Sequence, residues 1–406
     1  MVGEKEKQGN HLRAASFQSR VKSGMTRMNT KLPTRKPVLA LFEWHHLGDS
    51  VLALPYVRAA ELQYEVHVFC RPEAAEIFHF ILPESRVHGC EPHWCTGGML
   101  SSLQSLGDCR SILEQIRSVA PDVAVCAWSD PRVFSLMARA GIARRVGFPV
   151  TKQNYFTWEV ALEKSRLMQA RLYSLLATLF HGRALLTEKV NRVDYHQGHW
   201  EDWRQLGEAT DVPVSMQLPW FVPQIPLSAE IASCIAKIKS DGRKVWLVHP
   251  GARLAVKRWP SARFSKLAAA RLKSGGAAVL MIDPPDGNVV SEGIPSDYRF
   301  RAASPGVLAA LIHASDAVLC HDSFPAHLAA ALGKPVVTLF GDMPDCWFAP
   351  YGNREFVVKT HNKERLATRK GLEKRGATLL DAVTVESVLE AMSRVEKQKW
   401  RHEEAP

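Results

Sequence analysis

The sequence predicts an α/β protein made of two doubly wound, Rossmann-like domains facing across a cleft, and three observations carry that prediction. Its 406 residues exceed what one ordinary core organises. Short continuous apolar runs alternate with helix-length amphipathic segments, as in parallel strands buried on both faces. The pattern stops at the proline-rich stretch VPVSMQLPWFVPQIPLS, residues 212–228, and then starts again. The resulting division is a basic tail over 1–36, a first domain over 37–215, a second over 216–396 and a tail over 397–406. Open α/β sheets bind ligands outside the C-terminal ends of their strands, so two such sheets create a ligand cleft between them.

In the first half VLALFEW (38–44) is the opening buried strand, GDSVLALPYVRAAELQ its helix and YEVHVFC the next strand. A helical segment follows from Pro72, then the strand DVAVCAW and the helix PRVFSLMARAG. After the proline-rich stretch come the strand KVWLVHPG, a helix opening at Ser261, the strand AAVLMID and the helix SPGVLAALIHAS. The strand AVLCHD, the helix PAHLAAALG and the strand PVVTLFG complete the series.

Composition removes several function classes. At 46% hydrophobic and 23% charged, the chain reads as an ordinary globular protein, and no run approaches the roughly 18 apolar residues of a membrane span. The N-terminus lacks the apolar centre of a secretory signal, which predicts a cytoplasmic protein. The net charge of +11 is concentrated at one end: residues 1–36 hold nine Lys or Arg against two Glu. Such a tail is expected to be disordered, solvated or resting on an anionic membrane, and it provides no folded basic face for nucleic acid. The eight cysteines are scattered, several in apolar runs, which predicts reduced core thiols. His88, Cys90, His93 and Cys95 in HGCEPHWC are soft ligands at close range, but their spacing matches no zinc pattern and no second pair follows. No metal is therefore expected. Walker, dinucleotide, nucleophile-elbow and zinc-helix motifs are all missing from the sequence.

Three motifs remain, each with a plain structural alternative. In HHLGDSVLALP, Gly48 suits a tight turn and Asp49 suits a helix cap, yet a carboxylate at a sheet's C-terminal edge can also take a proton from a bound hydroxyl. In HPGARLAVKRWP, a glycine loop followed by Lys257 and Arg258 suits either a phosphate or a solvated charged turn with Trp259 packing on the domain, and Arg258 reads as a solvated charge. In HDSFPAH, Asp322, Ser323 as N-cap and His327 suit either a capped helix or an anion at its N-terminus.

Taken in order, GDSVLALP, HPGA…KRWP and DSFPAHLAAALGKPVVTLFG closely resemble glycosyltransferase family 9, the lipopolysaccharide heptosyltransferases, over about Val38 to Met392. GVLAALIHASDAVLCHDS and the closing LLDAVTVESVLEAM extend the likeness. The resemblance implies a GT-B fold and inverting transfer of a heptose or hexose-like sugar from a nucleotide-diphosphate donor, ADP-heptose among the candidates. The acceptor would be a lipopolysaccharide-core or other cell-envelope saccharide at the inner face of the inner membrane. It implies no cofactor beyond that co-substrate. Asp49 matches the family's general base and Lys257 its donor-phosphate lysine. Asp322, Ser323 and His327 match its donor-site motif, Asp286 falls near its ribose-binding acid, and Arg253 becomes a candidate donor contact.

The chain departs from the family at Phe324, where Gly is usual, at His321, where Asn is common, at Arg253, and in MIDPPDG, which lacks a usual Gly. A ring at 324 is expected to narrow the donor seat or shift the donor. The departures also admit a second reading, a catalytically idle GT-B protein that binds a nucleotide sugar or glycan as sensor or scaffold.

Overall fold

Each apolar run expected to form a strand does so in the computed structural model. The model describes residues 35–92, 108–151, 162–181, 184–192, 198–283, 289–341, 343–359 and 371–398 except 373 and 375. Nearly all of the basic tail, the metal-type residues His93 and Cys95, the candidate ribose acid Asp286 and residues 399–406 lie outside these described residues.

Two parallel six-stranded sheets organise the rest, in the orders β3-β2-β1-β4-β5-β6 and β12-β11-β10-β7-β8-β9. The first sheet contains β1 (Val38–Glu43), β2 (Glu65–Cys70), β3 (Val87–Gly89), β4 (Val123–Cys126), β5 (Arg144–Gly147) and β6 (Glu188–Lys189). The second contains β7 (Lys244–His249), β8 (Ala277–Asp283), β9 (Tyr298–Arg301), β10 (Ala317–His321), β11 (Val336–Phe340) and β12 (Val357–Lys359). Central strands β1, β8, β10 and β11 are buried at every residue, which is why they read as unbroken apolar runs. Chain order reverses between β1 and β4 in one sheet and between β7 and β10 in the other. The three motifs follow β1, β7 and β10, so all three sit at these switch points, where ligands of open α/β sheets bind.

Pro37–Pro406 forms one compact unit. A single apolar cluster contains Leu39, Val51 and Val68 from the first sheet's half and Leu247, Val318 and Leu328 from the second's. The helices Leu47–Ala60 and Phe324–Ala331, which start at the first and third motifs, pack on one another through this cluster. The proline-rich stretch carries no helix or strand; Trp220 within it donates its backbone N–H to the C=O of Ala331, 2.8 Å away.

Candidate active site

The first wall of the site grows from the end of β1. The Leu47–Ala60 helix takes His46, not Asp49, as its N-cap; Asp49 lies one turn in, and its Oδ2 accepts from the His46 backbone N–H at 3.1 Å. Its other oxygen, Oδ1, is 3.2 Å from Nδ1 of His199. The expectation that Gly48 serves a tight turn is also corrected. Its φ is not left-handed, and what demands glycine is space, because a Cβ there would stand 2.8 Å from Cδ2 of His327.

That histidine belongs to the second wall. His327 is buried in the Phe324–Ala331 helix, its Nδ1 has no hydrogen-bond partner, and burial pushes its ring below the ordinary histidine range. At the same helix start Lys257 donates from Nζ to Oδ2 of Asp322 at 3.0 Å, both side chains being largely buried. A small pocket beside this pair is lined by Lys257, Asp322, Leu339, Gly341, Met343 and Leu379. Ser323 occupies the N-cap position, but its hydroxyl donates to the His321 C=O at 3.1 Å and caps nothing. The helix start is thus without a side-chain cap, the arrangement that leaves its dipole available to an anion. Arg253 is exposed, and its charge reaches His46 on the opposite wall, as does that of Lys257. Arg258, expected as a solvated charge, is half-buried instead and donates to the Ala252 C=O at 2.8 Å, bracing the loop.

Two departures from the family pattern gain a physical account. Phe324 does not line the pocket: its ring packs on the shared apolar cluster, and its φ is not left-handed, so the position does not require glycine. His321 is fully buried and works as a staple. Its Nε2 accepts from the Trp259 backbone N–H at 2.8 Å while Nδ1 lies 3.1 Å from the Gly251 C=O, which fixes the neutral Nδ1–H tautomer. Burial pushes this ring down to about 3. One histidine therefore sets the path of the loop that delivers Lys257.

Other residues at the first wall carry no motif in the sequence. His199 is 1% exposed and lies between Asp49 and Asp202, whose Oδ2 is 3.5 Å from its Nε2. Asp202 in turn takes both its oxygens 2.9 Å from Nε of Arg192, a buried pair whose guanidinium also donates to the Ala127 C=O at 3.0 Å. The only local signal was the spacing of His199 and Asp202, three residues apart at a helix start. Burial pushes the Asp49 carboxyl up, but contact with His199 and the electrostatic influence of His199, His45 and His46 together hold it below the usual carboxylate range. Glu43, fully buried at the end of β1, is held well above that range by burial first and by the nearby Asp49 second. The two neighbouring carboxyls are thus pushed in opposite directions.

Residues 177–376 match the family model described as glycosyltransferase family 9 (heptosyltransferase), a stretch that includes β7 through β12 and every second-wall residue. By this match the second half of the chain is similar to glycosyltransferase family 9. It is 28% identical over 158 residues to the lipooligosaccharide heptosyltransferase 2 of Haemophilus influenzae, covering 36% of this chain and 45% of that protein. The chain spans about half the length of the first curated relatives it matches. Among solved structures, the family 9 glycosyltransferase from Veillonella parvula superposes with a TM-score of 0.61 at 16% identity, over 90% of this chain and 99% of that one. The Escherichia coli heptosyltransferase WaaC with ADP gives 0.59 at 16% identity, over 88% and 99%. At such identities the likeness shows the fold, and the two facing sheets are a GT-B fold.

Proposed function

We propose that this chain is an inverting glycosyltransferase that moves a sugar from a nucleoside-diphosphate donor to a hydroxyl of a cell-envelope saccharide. The observation that carries the reading is the meeting of Gly48 with His327, which brings the Asp49 turn against the helix start that bears Lys257 and Asp322. The acceptor oxygen attacks the anomeric carbon from the Asp49 side and its proton passes to that carboxylate. The bond to the diphosphate breaks, and its electron pair stays on the phosphate oxygen. A base on one wall and an anion seat on the other suit displacement with inversion. Charge growing on the leaving diphosphate would be met by Lys257, by Arg253 at the rim and by the uncapped start of the Phe324 helix, with Ser323 and His327 beside it. Asp322 holds the Lys257 ammonium in place. We assign no metal to this chemistry.

The heptosyltransferase relatives and the WaaC structure with ADP support ADP-heptose as the first donor to try and a lipopolysaccharide-type core as the acceptor. We place the enzyme at the cytoplasmic face of the inner membrane. Exposed Met168, Leu172, Leu175, Leu176 and Leu179 recur along one face of the Leu162–His181 helix and support contact with the bilayer that carries such an acceptor. Among the described residues no helix is long and apolar enough to cross a membrane.

A thermal-shift panel of ADP-, GDP-, UDP- and CMP-linked sugars tests the donor assignment, since a true donor stabilises the folded state by mass action. Asp49→Asn should cut transfer by about 10²-fold or more while donor binding persists. Wild-type turnover in that variant would remove Asp49 as base, and a flat panel would favour an idle binding protein.

A further inference from the structure

We infer that His199 is a positioning residue for Asp49, orienting its carboxylate through a ring that is itself gripped by the second half of the molecule, so that the base is aligned when the cleft is closed. The inference rests on Asp49 being the base. His199 starts the Trp200–Ala209 helix, which packs on the Leu47–Ala60 helix and so belongs to the first half. Yet its backbone N–H donates across the cleft to the Trp347 C=O at 3.0 Å, and its ring stacks on the Trp347 indole with centroids 5.1 Å apart at 28°. Trp128, after β4, closes the other side edge-on at 4.7 Å. The ring is thus held between two indoles and between two carboxylates.

The anchor behind it is rigid. Asp202 is 1% exposed and bound to Arg192, whose guanidinium lies over the Phe148 ring at 4.6 Å and the Trp347 ring at 5.5 Å. Asp49 then has Oδ2 on the His46 N–H and Oδ1 3.2 Å from Nδ1 of His199, a close approach short of hydrogen-bond geometry that crowds the carboxylate on its second side. If packing alone were the need, an apolar residue between the indoles would avoid the cost of burying an imidazole against two carboxylates. Opening the cleft would remove Trp347 from both the ring and the backbone of His199, and Asp49 would lose its orientation with them. Such a contact makes base alignment follow domain closure.

The charged and titratable groups facing His199 are Asp49, His45 and His46 from the turn after β1, Glu43 beside them, Asp202 and Glu201 on its own helix, Arg192, and His327 from the opposing helix. The test uses the full chain labelled with carboxyl-¹³C aspartate, the Asp49 resonance being assigned by its loss in Asp49→Asn. His199→Phe keeps the stacking and removes both nitrogens. It should raise the Asp49 titration midpoint by about one pH unit or more, because a neighbour that favours the charged carboxylate is gone. Trp347→Leu should move it in the same direction by less. In transfer from ADP-heptose to a heptose-free lipooligosaccharide, His199→Phe should lower kcat about tenfold or more with donor KM unchanged, and His199→Gln should restore part of the loss. An unmoved midpoint, or wild-type kcat in His199→Phe, overturns the inference. If the Phe variant does not fold, His199→Gln carries the same test: an intermediate rise in midpoint supports the inference, and none overturns it. With Asp49→Asn inactive, wild-type kcat in His199→Phe fells this inference alone; with Asp49→Asn fully active, the base assignment falls and takes it along.

Discussion

Gly48 and His327 come from distant parts of the sequence and end in contact, and that single contact explains why two motifs share one site. His321 performs a comparable task inside the second half, tying Trp259 and Gly251 together in a neutral form. Its folded value of about 3 against an ordinary 6.5 has a consequence for stability. A histidine depressed on folding stays neutral in the native state while the unfolded chain gains a proton, so its contribution is intact above about pH 6.5 and is lost as pH falls towards 3. On this account His321 alone should reduce unfolding free energy by about 2 kcal/mol between pH 7.5 and 5. Urea unfolding at both pH values checks this. His321→Asn should flatten the dependence, and an equally steep fall in that variant would contradict the assignment.

At the scale of elements, the halves are joined by more than the cleft. Oε1 of Glu76, in the short Ala75–Phe78 helix, accepts from the Ser304 hydroxyl at 2.7 Å and the Gly306 backbone N–H at 3.0 Å, so a carboxylate from the first half caps the Pro305–Ala314 helix of the second. A Cβ at Gly306 would meet the Ile225 side chain first and, 2.5 Å away, that carboxylate oxygen. Glu76→Ala should cost about 1–2 kcal/mol in denaturant unfolding, from lost charge-assisted hydrogen bonds and helix-dipole pairing. A change below about 0.3 kcal/mol would show the contact to be incidental. Elements with two buried faces were legible in the sequence. Strand β9 was not, because as an edge strand it reads YRFR and is mostly exposed. Strands β3 and β6 are three and two residues long, too short for any periodicity. The site divides the same way. Asp49, Lys257, Asp322 and His327 stand at strand ends in recognisable order, whereas Arg192 and His199 meet Asp49 only through the fold, and the packing of Phe324 depends on a neighbour no local pattern names.

Across the whole molecule, one apolar cluster crosses from the first sheet's half to the second's, and the linking stretch is pinned to the Phe324 helix through Trp220. Separating the halves would expose that cluster to water at about 25 cal/mol per Å². The halves should therefore unfold together, as one calorimetric transition, even though each has its own sheet. Two resolved transitions would mean that the cluster couples them weakly. Cleft opening, which need not expose the whole cluster, remains compatible with this cooperativity.

The placement of Trp347 against His199 also makes the molecule its own optical probe. An indole stacked on an imidazole, with an arginine 5.5 Å from its ring, sits in a polar and quenching environment that disappears when the rings part. Emission lost in Trp347→Phe isolates that one fluorophore from the other ten tryptophans, and its brightening would time the parting of the two walls without any label.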